Sequence, residues 1–310
     1  MNQQYGPGTG GFGLVSAGII GALALLAWAA FWIARRGPRL RTLWKRVSNS
    51  AVIGKPLTWL RDRISDRGWS LARRWPAGEV AGVALFLGLV VVVALAVGFT
   101  EVLDDVLEGD GIAGIDQPVT RWLAAHRDLW LTAALRAVTN AGGPLFLAAL
   151  AFPISLFAGW RCRSWRPIVL ALVGGGVVPL VLFTAKALVG RNRPPLPFAL
   201  VDADGYSFPS GHATGTAAVM VISAWMLTRW LIRGWTGRVI VWTVAIGSAF
   251  LIGFSRVYLG VHYVSDVLSG WMLGMAWAGS VILVGTWWDD SQRVRGRANA
   301  RQPEMPGPAA

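Results

Sequence analysis

Long apolar runs recur along this chain, and they decide what it can fold into. Stretches of about 18 or more apolar residues read as membrane-spanning helices. Such stretches begin and end near 12–34, 80–99, 142–159, 168–189, 211–227, 239–254 and 262–287. They are apolar all round, whereas a water-soluble core would be built from amphipathic stripes. With 54% hydrophobic and only 15% charged residues in 310, the expectation is an all-α, polytopic membrane protein of seven spans. The run at 142–159 carries Pro144 and Pro153 and is the weakest of them.

Charge placement orders these spans. The net charge of +13 invites a nucleic-acid reading, but its location decides against one. Between Arg35 and Arg74 lie twelve basic residues and two acidic ones, and short loops at 161–166 and 229–238 hold three arginines each with no acid. Basic loops beside membrane spans stay in the cytoplasm, where they also meet anionic lipid. Tryptophans mixed into 35–78 (Trp44, Trp59, Trp69, Trp75) suggest interfacial helices in that loop. No charge precedes the first run and Arg35-Arg36 follow it, so 1–34 is read as an uncleaved span with its N-terminus outside. The acidic segment from Glu101 to Asp128 then falls outside, and within it Val119, Trp122, Leu123, Leu131, Leu135 and Val138 recur at helical spacing. His126 lies between those two helices beside Arg127 and Asp128 and is assigned no role. Cys162 is single, which excludes an internal disulfide. Residues 1–10 and the polar tail 289–310 are expected to be disordered.

Three polar clusters interrupt the apolar sequence, and the span count puts all three outside. The first runs from Lys186 to Arg193-Pro194, the second is Pro209-Ser210-Gly211-His212, and the third is Ser255-Arg256 followed by His262 and Asp266. Only three lysines occur against 26 arginines, and Lys186 is the only one after Lys55. Cations, two histidines and a carboxylate are what a phosphate-handling site needs: anion binding, a nucleophile, and a proton for the leaving oxygen. No carboxylate cluster or His/Cys spacing offers a metal site. Lys186 and Arg193, seven residues apart, share a face if the fourth helix continues that far before Pro194-Pro195 ends it. Arg256 arrives at the end of the sixth span and completes a set of three phosphate-gripping cations. Ser210 can cap the fifth helix or touch phosphate, and the amides of Gly211 and His212 belong to the positive end of that helix. His262 and Asp266, four apart at the start of the seventh helix, share one face, so the carboxylate can fix the imidazole tautomer for nucleophilic attack.

Together these clusters resemble the three-part signature of the type 2 phosphatidic acid phosphatase (PAP2) superfamily, which holds membrane lipid phosphatases and, more distantly, soluble vanadium haloperoxidases. Every signature position is matched. The resemblance covers the six C-terminal spans, 79–288, and implies a six-helix catalytic domain with one extra N-terminal transmembrane helix (1–34), a basic cytoplasmic loop (35–78) and a disordered tail (289–310). It implies His262 as the nucleophile that forms a phosphohistidine, oriented by Asp266. It implies His212 as the acid and then the base, Lys186, Arg193, Ser210, Gly211 and Arg256 as phosphate ligands, and neither metal nor cofactor.

The leading expectation is therefore metal-independent hydrolysis of a lipid phosphate or diphosphate at the outer face of a bacterial cell membrane. Polyprenyl diphosphate (the undecaprenyl-diphosphatase branch) is favoured, and phosphatidic acid and phosphatidylglycerophosphate are the alternatives. A lipid phosphotransferase, a vanadate-binding haloperoxidase and a silent lipid-binding protein are the competing classes. The last would be expected to have lost His212, His262 or Asp266, and none is lost. The membrane and a lipid phosphate are the expected partners, and nucleic acid is not one.

Overall fold

A computed structural model describes residues 13–36, 42, 79–195 and 197–299. Among these every regular element is helical. In chain order they are α1 (Leu14–Arg35), α2 (Glu79–Glu108), a 3-10 turn (Gly111–Ile115), α3 (Asp116–Ala125), α4 (Leu129–Asn140) and α5 (Pro144–Cys162). There follow α6 (Arg166–Gly176), α7 (Val178–Val189), α8 (Gly211–Met226), a π-helical turn (Leu227–Leu231), α9 (Trp235–Tyr258) and α10 (Val264–Asn299). The expected interfacial helices of 35–78 and the polar segment 1–10 lie outside the described residues.

Six helical stretches are long and apolar enough to cross a membrane: α1, α2, α5, α6 with α7, α9 and α10. The remaining expected span, the fifth, is α8, which has only 16 residues and is lengthened by the π turn after it. The extra N-terminal helix and the six-helix core are thus both present. The proline-bearing span holds as well. Pro144 sits at the start of α5, where its missing N–H costs nothing, and the helix continues through Pro153 to Cys162.

Elsewhere the boundaries differ from expectation for identifiable reasons. The fourth span is two helices broken at Val177. Gly174-Gly175-Gly176 weakens the helix, and the ring of Pro179 cannot follow the preceding turn. Trp277 Nε1 donates to the Gly174 carbonyl at 3.0 Å, giving a partner to backbone in that disturbed turn. The same span stops at Val189, where the apolar run ends, because Gly190 turns left-handed (φ 64). Arg193 therefore lies on a loop, and Lys186 and Arg193 do not share a helix face. The first half of the acidic segment is helical, since α2 runs on to Glu108 before Gly109 (φ 79). The tail expected to be disordered from 289 continues α10 to Asn299, because no proline or glycine pair interrupts 289–299. The remainder, 300–310, lies outside the described residues.

The chain divides into two units, Met1–Arg36 with Val92–Val281 and Gly37–Val91 with Ile282–Ala310. In the second, Gly88 of α2 meets Leu283 of α10. The first contains the candidate site and is organised around α8, whose buried face includes Ala213, Thr214, Thr216, Ala217 and Ala218. It packs on α5, α6, α7 and α9. Against α10 the approach is close, through Gly270 and Gly274 spaced i, i+4. A Cβ on Gly270 would meet Ala213 Cβ at 3.0 Å, and one on Gly274 would meet Ala217 Cβ at 2.9 Å. In a bilayer such small-residue contacts replace hydrophobic burial as the force between helices. Gly274→Val should push α8 from α10 at a cost of about 1–3 kcal/mol. Thermal melting of the detergent-solubilised protein checks this, with Gly279→Val as a comparison that touches α2 instead.

Candidate active site

Five segments converge at one end of the bundle. They are the last turn of α7 with Lys186, the loop 190–210, the first turn of α8, the last turn of α9 with Arg256, and the turn 259–263 leading into Asp266. The first turns of α8 and α10 are tied directly, with Ser210 N donating to the Asp266 carbonyl at 2.9 Å. The loop reaches α8 through a cis Phe208–Pro209 bond. Six of the eight expected site residues come together here by direct contact or through a shared partner, and His212 and Gly211 open α8 beside them.

His262 precedes α10 rather than riding on it, because Gly260 turns the chain at φ 74 between α9 and α10. The pairing is still made. His262 Nδ1 lies 3.4 Å from Asp266 Oδ2, and both side chains are buried. Asp266 is the third residue of its helix, and its Oδ2 also accepts from the Tyr263 amide at 2.9 Å, closing the first turn as a capping carboxylate does. Arg193 Nη1 reaches His262 Nε2 at 3.1 Å. A guanidinium can only donate, so Nε2 is the acceptor and the ring proton sits on Nδ1, facing Asp266. Burial pushes the imidazole below its ordinary range, to about 4, against the upward pull of Asp266. At neutral pH the ring is an uncharged base with its lone pair on Nε2.

The cations are spent on backbone and hydroxyl oxygens in this arrangement. Lys186 Nζ donates to the Tyr206 carbonyl. Arg193 donates to the carbonyls of Asp204 and Val261 at 2.8 Å each and of Gly205 at 2.9 Å. Arg256, 6% exposed, donates from Nη1 to Thr139 Oγ1 at 3.0 Å. Ser210 starts α8 but makes no capping bond with its side chain. Among the described residues its Oγ and Arg256 Nε are buried polar atoms without a hydrogen-bond partner, both suited to an incoming oxyanion. His212 faces Gly142, where a Cβ would stand 3.0 Å from its Cδ2. His126, given no role, stacks on Trp122 at 4.5 Å and contacts that residue's carbonyl. Among the described residues no group of three His, Cys, Asp or Glu is placed to hold a metal.

Sequence reasoning missed a second layer around Asp266. Arg191 donates to Asp266 Oδ1 at 2.6 Å and to Asp116 Oδ2 at 2.7 Å, and its guanidinium lies 4.5 Å over the Tyr263 ring. The two carboxylates outweigh the burial that opposes its charge and raise its pKa. Asp116, itself 1% exposed, accepts from Ser265 N at 3.0 Å and Ser265 Oγ at 2.5 Å. Ser207 Oγ donates to Asp266 Oδ2. Arg191 stood within the first cluster, but nothing in its spacing distinguishes it from Arg193. Asp116 lay in an acidic segment read only as lying outside.

A lipid-sized cavity of about 670 Å3 opens from this end of the bundle. Lys186, Gly211 and His212 stand at its polar limit, and the rest is lined by apolar residues of α5, α6, α7 and α8 such as Leu147, Phe152, Leu172 and Leu182.

The PAP2 superfamily profile matches residues 164–290. Phosphatidylglycerophosphatase B of Bacillus subtilis is 32% identical over 178 residues, 57% of this chain and 86% of that protein. The chain belongs to the PAP2 superfamily. A crystal structure of a transmembrane PAP2-type phosphatidylglycerolphosphate phosphatase from the same organism superposes with a TM-score of 0.57 at 27% identity, covering 69% of this chain and 98% of that one. An undecaprenyl-diphosphatase of Sulfolobus acidocaldarius is 34% identical over 122 residues, 36% of this chain and 52% of that one. A decaprenylphosphoryl-5-phosphoribose phosphatase of Mycobacterium tuberculosis is 33% identical over 140 residues, 44% of this chain and 68% of that one. The protein is a membrane phosphatase of PAP2 type.

Removing Arg191 leaves two buried carboxylates facing each other without their shared cation. Arg191→Met should therefore destabilise the protein by about 3–5 kcal/mol, whereas Arg191→Lys, which can hold one carboxylate, should lose less. Chemical denaturation in mixed micelles distinguishes the two.

Proposed function

We propose that this phosphatase hydrolyses a membrane lipid bearing a terminal phosphate or diphosphate, with polyprenyl diphosphate the favoured substrate, through a phosphohistidine at His262. The carrying observation is the junction of the 670 Å3 apolar cavity with Lys186, Gly211 and His212. A lipid chain in that cavity delivers its head group to the cations and histidines at its polar limit. Phosphatidylglycerophosphate is the second reading, favoured by the relative of that activity, 86% of whose length this chain covers.

The chemistry follows from the tautomer. Nε2 of His262 attacks the terminal phosphorus, a P–N bond forms, and the bond from that phosphorus to the leaving oxygen breaks, releasing the lipid alcohol from a monophosphate or the lipid monophosphate from a diphosphate. His212 gives a proton to the departing oxygen. It then takes one from water, whose oxygen attacks the phosphohistidine and releases inorganic phosphate with Nε2 regenerated. Arg193 and Arg256, with Lys186, Ser210 and the Gly211 amide, hold the equatorial oxygens as charge spreads over them. Their own bonds to carbonyls and Thr139 are exchanged for bonds to phosphate, so the charge needed in the transition state is supplied by side chains already in place. This reading uses no metal. Water as acceptor separates it from the phosphotransferase alternative, and the apolar cavity argues against a haloperoxidase.

The deciding experiment gives the purified protein radiolabelled polyprenyl diphosphate, phosphatidylglycerophosphate and phosphatidic acid in excess chelator. Turnover and acid-labile label on the wild type, with neither on His262→Ala, is the expected result. Label persisting on His262→Ala would move the nucleophile elsewhere. Silence relieved only by a divalent ion would remove the metal-free reading, and a rate order with polyprenyl diphosphate last would remove the favoured substrate.

We further infer that the site faces outside. Support comes from the arginine-only loops 161–166 and 229–238, which lie at the opposite ends of their helices from Lys186, His212 and Arg256. Cys162 is exposed, so a Cys162→Ser background is required. In it, Asp204→Cys should react with an impermeant thiol reagent in intact cells and Ser48→Cys only after lysis. The reverse pattern would require an inner-leaflet substrate.

A further inference from the structure

The extra helix α1 is not an appendage to the core. Along its length it packs on α9, with Leu26 over Gly247, and near its end the Ile33 carbonyl accepts from Trp235 Nε1 at 3.0 Å. At its start the carboxylate of Asp128 meets the residue that caps the helix and a hydroxyl of its first turn. Gly13 N donates to Asp128 Oδ2 at 3.2 Å, and the buried Ser16 Oγ donates to the same oxygen. A Cβ on Gly13 would stand 2.7 Å from Asp128 Oδ1, so the approach is as close as the chain permits. Val15 belongs to the same buried apolar cluster as Leu131, Tyr258 and Leu259.

Asp128 and its neighbour Arg127 face two ways. The Asp128 amide donates to the Tyr258 hydroxyl at 2.9 Å, and Thr132 Oγ1 lies 3.3 Å from the same oxygen. Arg127, 3% exposed, donates from Nη2 to the Phe198 carbonyl at 2.6 Å and to the Tyr258 carbonyl at 3.2 Å. Burial lowers its pKa to about 10, which leaves it charged at neutral pH. Leu200 N adds a bond to the Leu259 carbonyl at 2.9 Å. Between these straps sits Gly260 at φ 74, where a Cβ would meet Arg127 Nη2 at 3.0 Å as well as the Phe198 carbonyl. Two residues further on is His262, whose amide donates back to the Arg256 carbonyl at 3.3 Å. The turn carrying the nucleophile is therefore clamped on one side by Arg127, and the carboxylate of the next residue, Asp128, is held on the other by α1.

We propose that Arg127 and Asp128 make α1 a positioning element for the His262 turn. Ser16 and Gly13 fix Asp128, the Arg127-Asp128 peptide fixes the guanidinium, and the guanidinium fixes the Tyr258–Gly260 backbone. The nucleophile's aim at phosphorus is thereby set in part from a helix outside the family-matched region 164–290. The proposal rests on His262 being the nucleophile, which the labelling of wild type against His262→Ala tests separately.

The test uses the full chain and compares Ser16→Ala, Arg127→Lys and the double variant with wild type on whichever lipid phosphate the wild type turns over. A lysine keeps the charge but cannot fork between two carbonyls. Misaiming costs rate rather than affinity, so Arg127→Lys should lower kcat by about tenfold or more with KM within about twofold. Ser16→Ala should lower kcat by about threefold with KM again unchanged, on the same reasoning. Because the two act through one route, the double variant should be no slower than about twofold below Arg127→Lys. Wild-type kcat in Ser16→Ala, a loss seen only in KM, or fully multiplicative losses in the double variant would each overturn the proposal. If Arg127→Lys does not accumulate as folded protein, the kcat of Ser16→Ala decides alone. Wild-type labelling with no effect of Ser16→Ala sinks only the role of α1, whereas absent wild-type labelling sinks the nucleophile.

Discussion

A single buried carboxylate holds this end of the bundle together. Asp266 is wholly inaccessible, and an ionised carboxylate in such a place is tolerated only when its oxygens are fully met. Four partners meet them: Arg191 and Ser207 from the long loop, the Tyr263 amide from its own helix start, and His262 from the preceding turn. Its backbone carbonyl also receives the Ser210 amide at the start of α8. The cost of leaving this anion unpaired therefore enforces the convergence that the chemistry needs. Arg191 carries the compensation outward to Asp116, so α3 is drawn into the same arrangement.

The histidine gains from that arrangement in two opposed ways. Burial disfavours its protonated form, and Asp266 favours it, with burial the larger effect. The outcome is a neutral ring whose tautomer is nonetheless fixed, because Arg193 can offer only protons to Nε2. A protonated imidazole would have no lone pair for phosphorus, and a free one would divide its proton between two nitrogens. Here the charge sits on Asp266, the proton on Nδ1, and the lone pair of Nε2 faces Arg193.

Much of this was legible in the sequence, for a physical reason. Apolar runs are a one-dimensional signal, since each helix must be long enough and apolar enough by itself. The three clusters stood out because Lys186, His212, His262 and Asp266 are expensive residues next to apolar sequence. Where neighbouring residues along the chain decide an outcome, the reading was weaker. It left open a continuation of α7 past Gly190 to Arg193, set His262 on α10 when Gly260 holds it on a turn, and ended α10 near 287 although polar residues continue the helix to Asn299. Contacts between distant segments were not legible at all. No spacing rule links Arg191 to Asp116, 75 residues away, or Arg127 to the carbonyl of Phe198.

The short central helix α8 shows why such a site belongs inside a bundle rather than on a loop. Its first turn carries Ser210, Gly211 and His212, and an anion there meets unpaired amides and the positive end of the helix dipole. In water that attraction would be screened, whereas among α5, α7, α9 and α10 it is not. Burying a helix so completely requires neighbours that come very close, and Ala213, Ala217, Gly270 and Gly274 supply the small surfaces. The same smallness that packs α8 against α10 sets the distance between His212 on one and Asp266 on the other. Packing and the geometry of the candidate site are therefore governed by one set of residues, and a larger side chain at that seam would disturb both together.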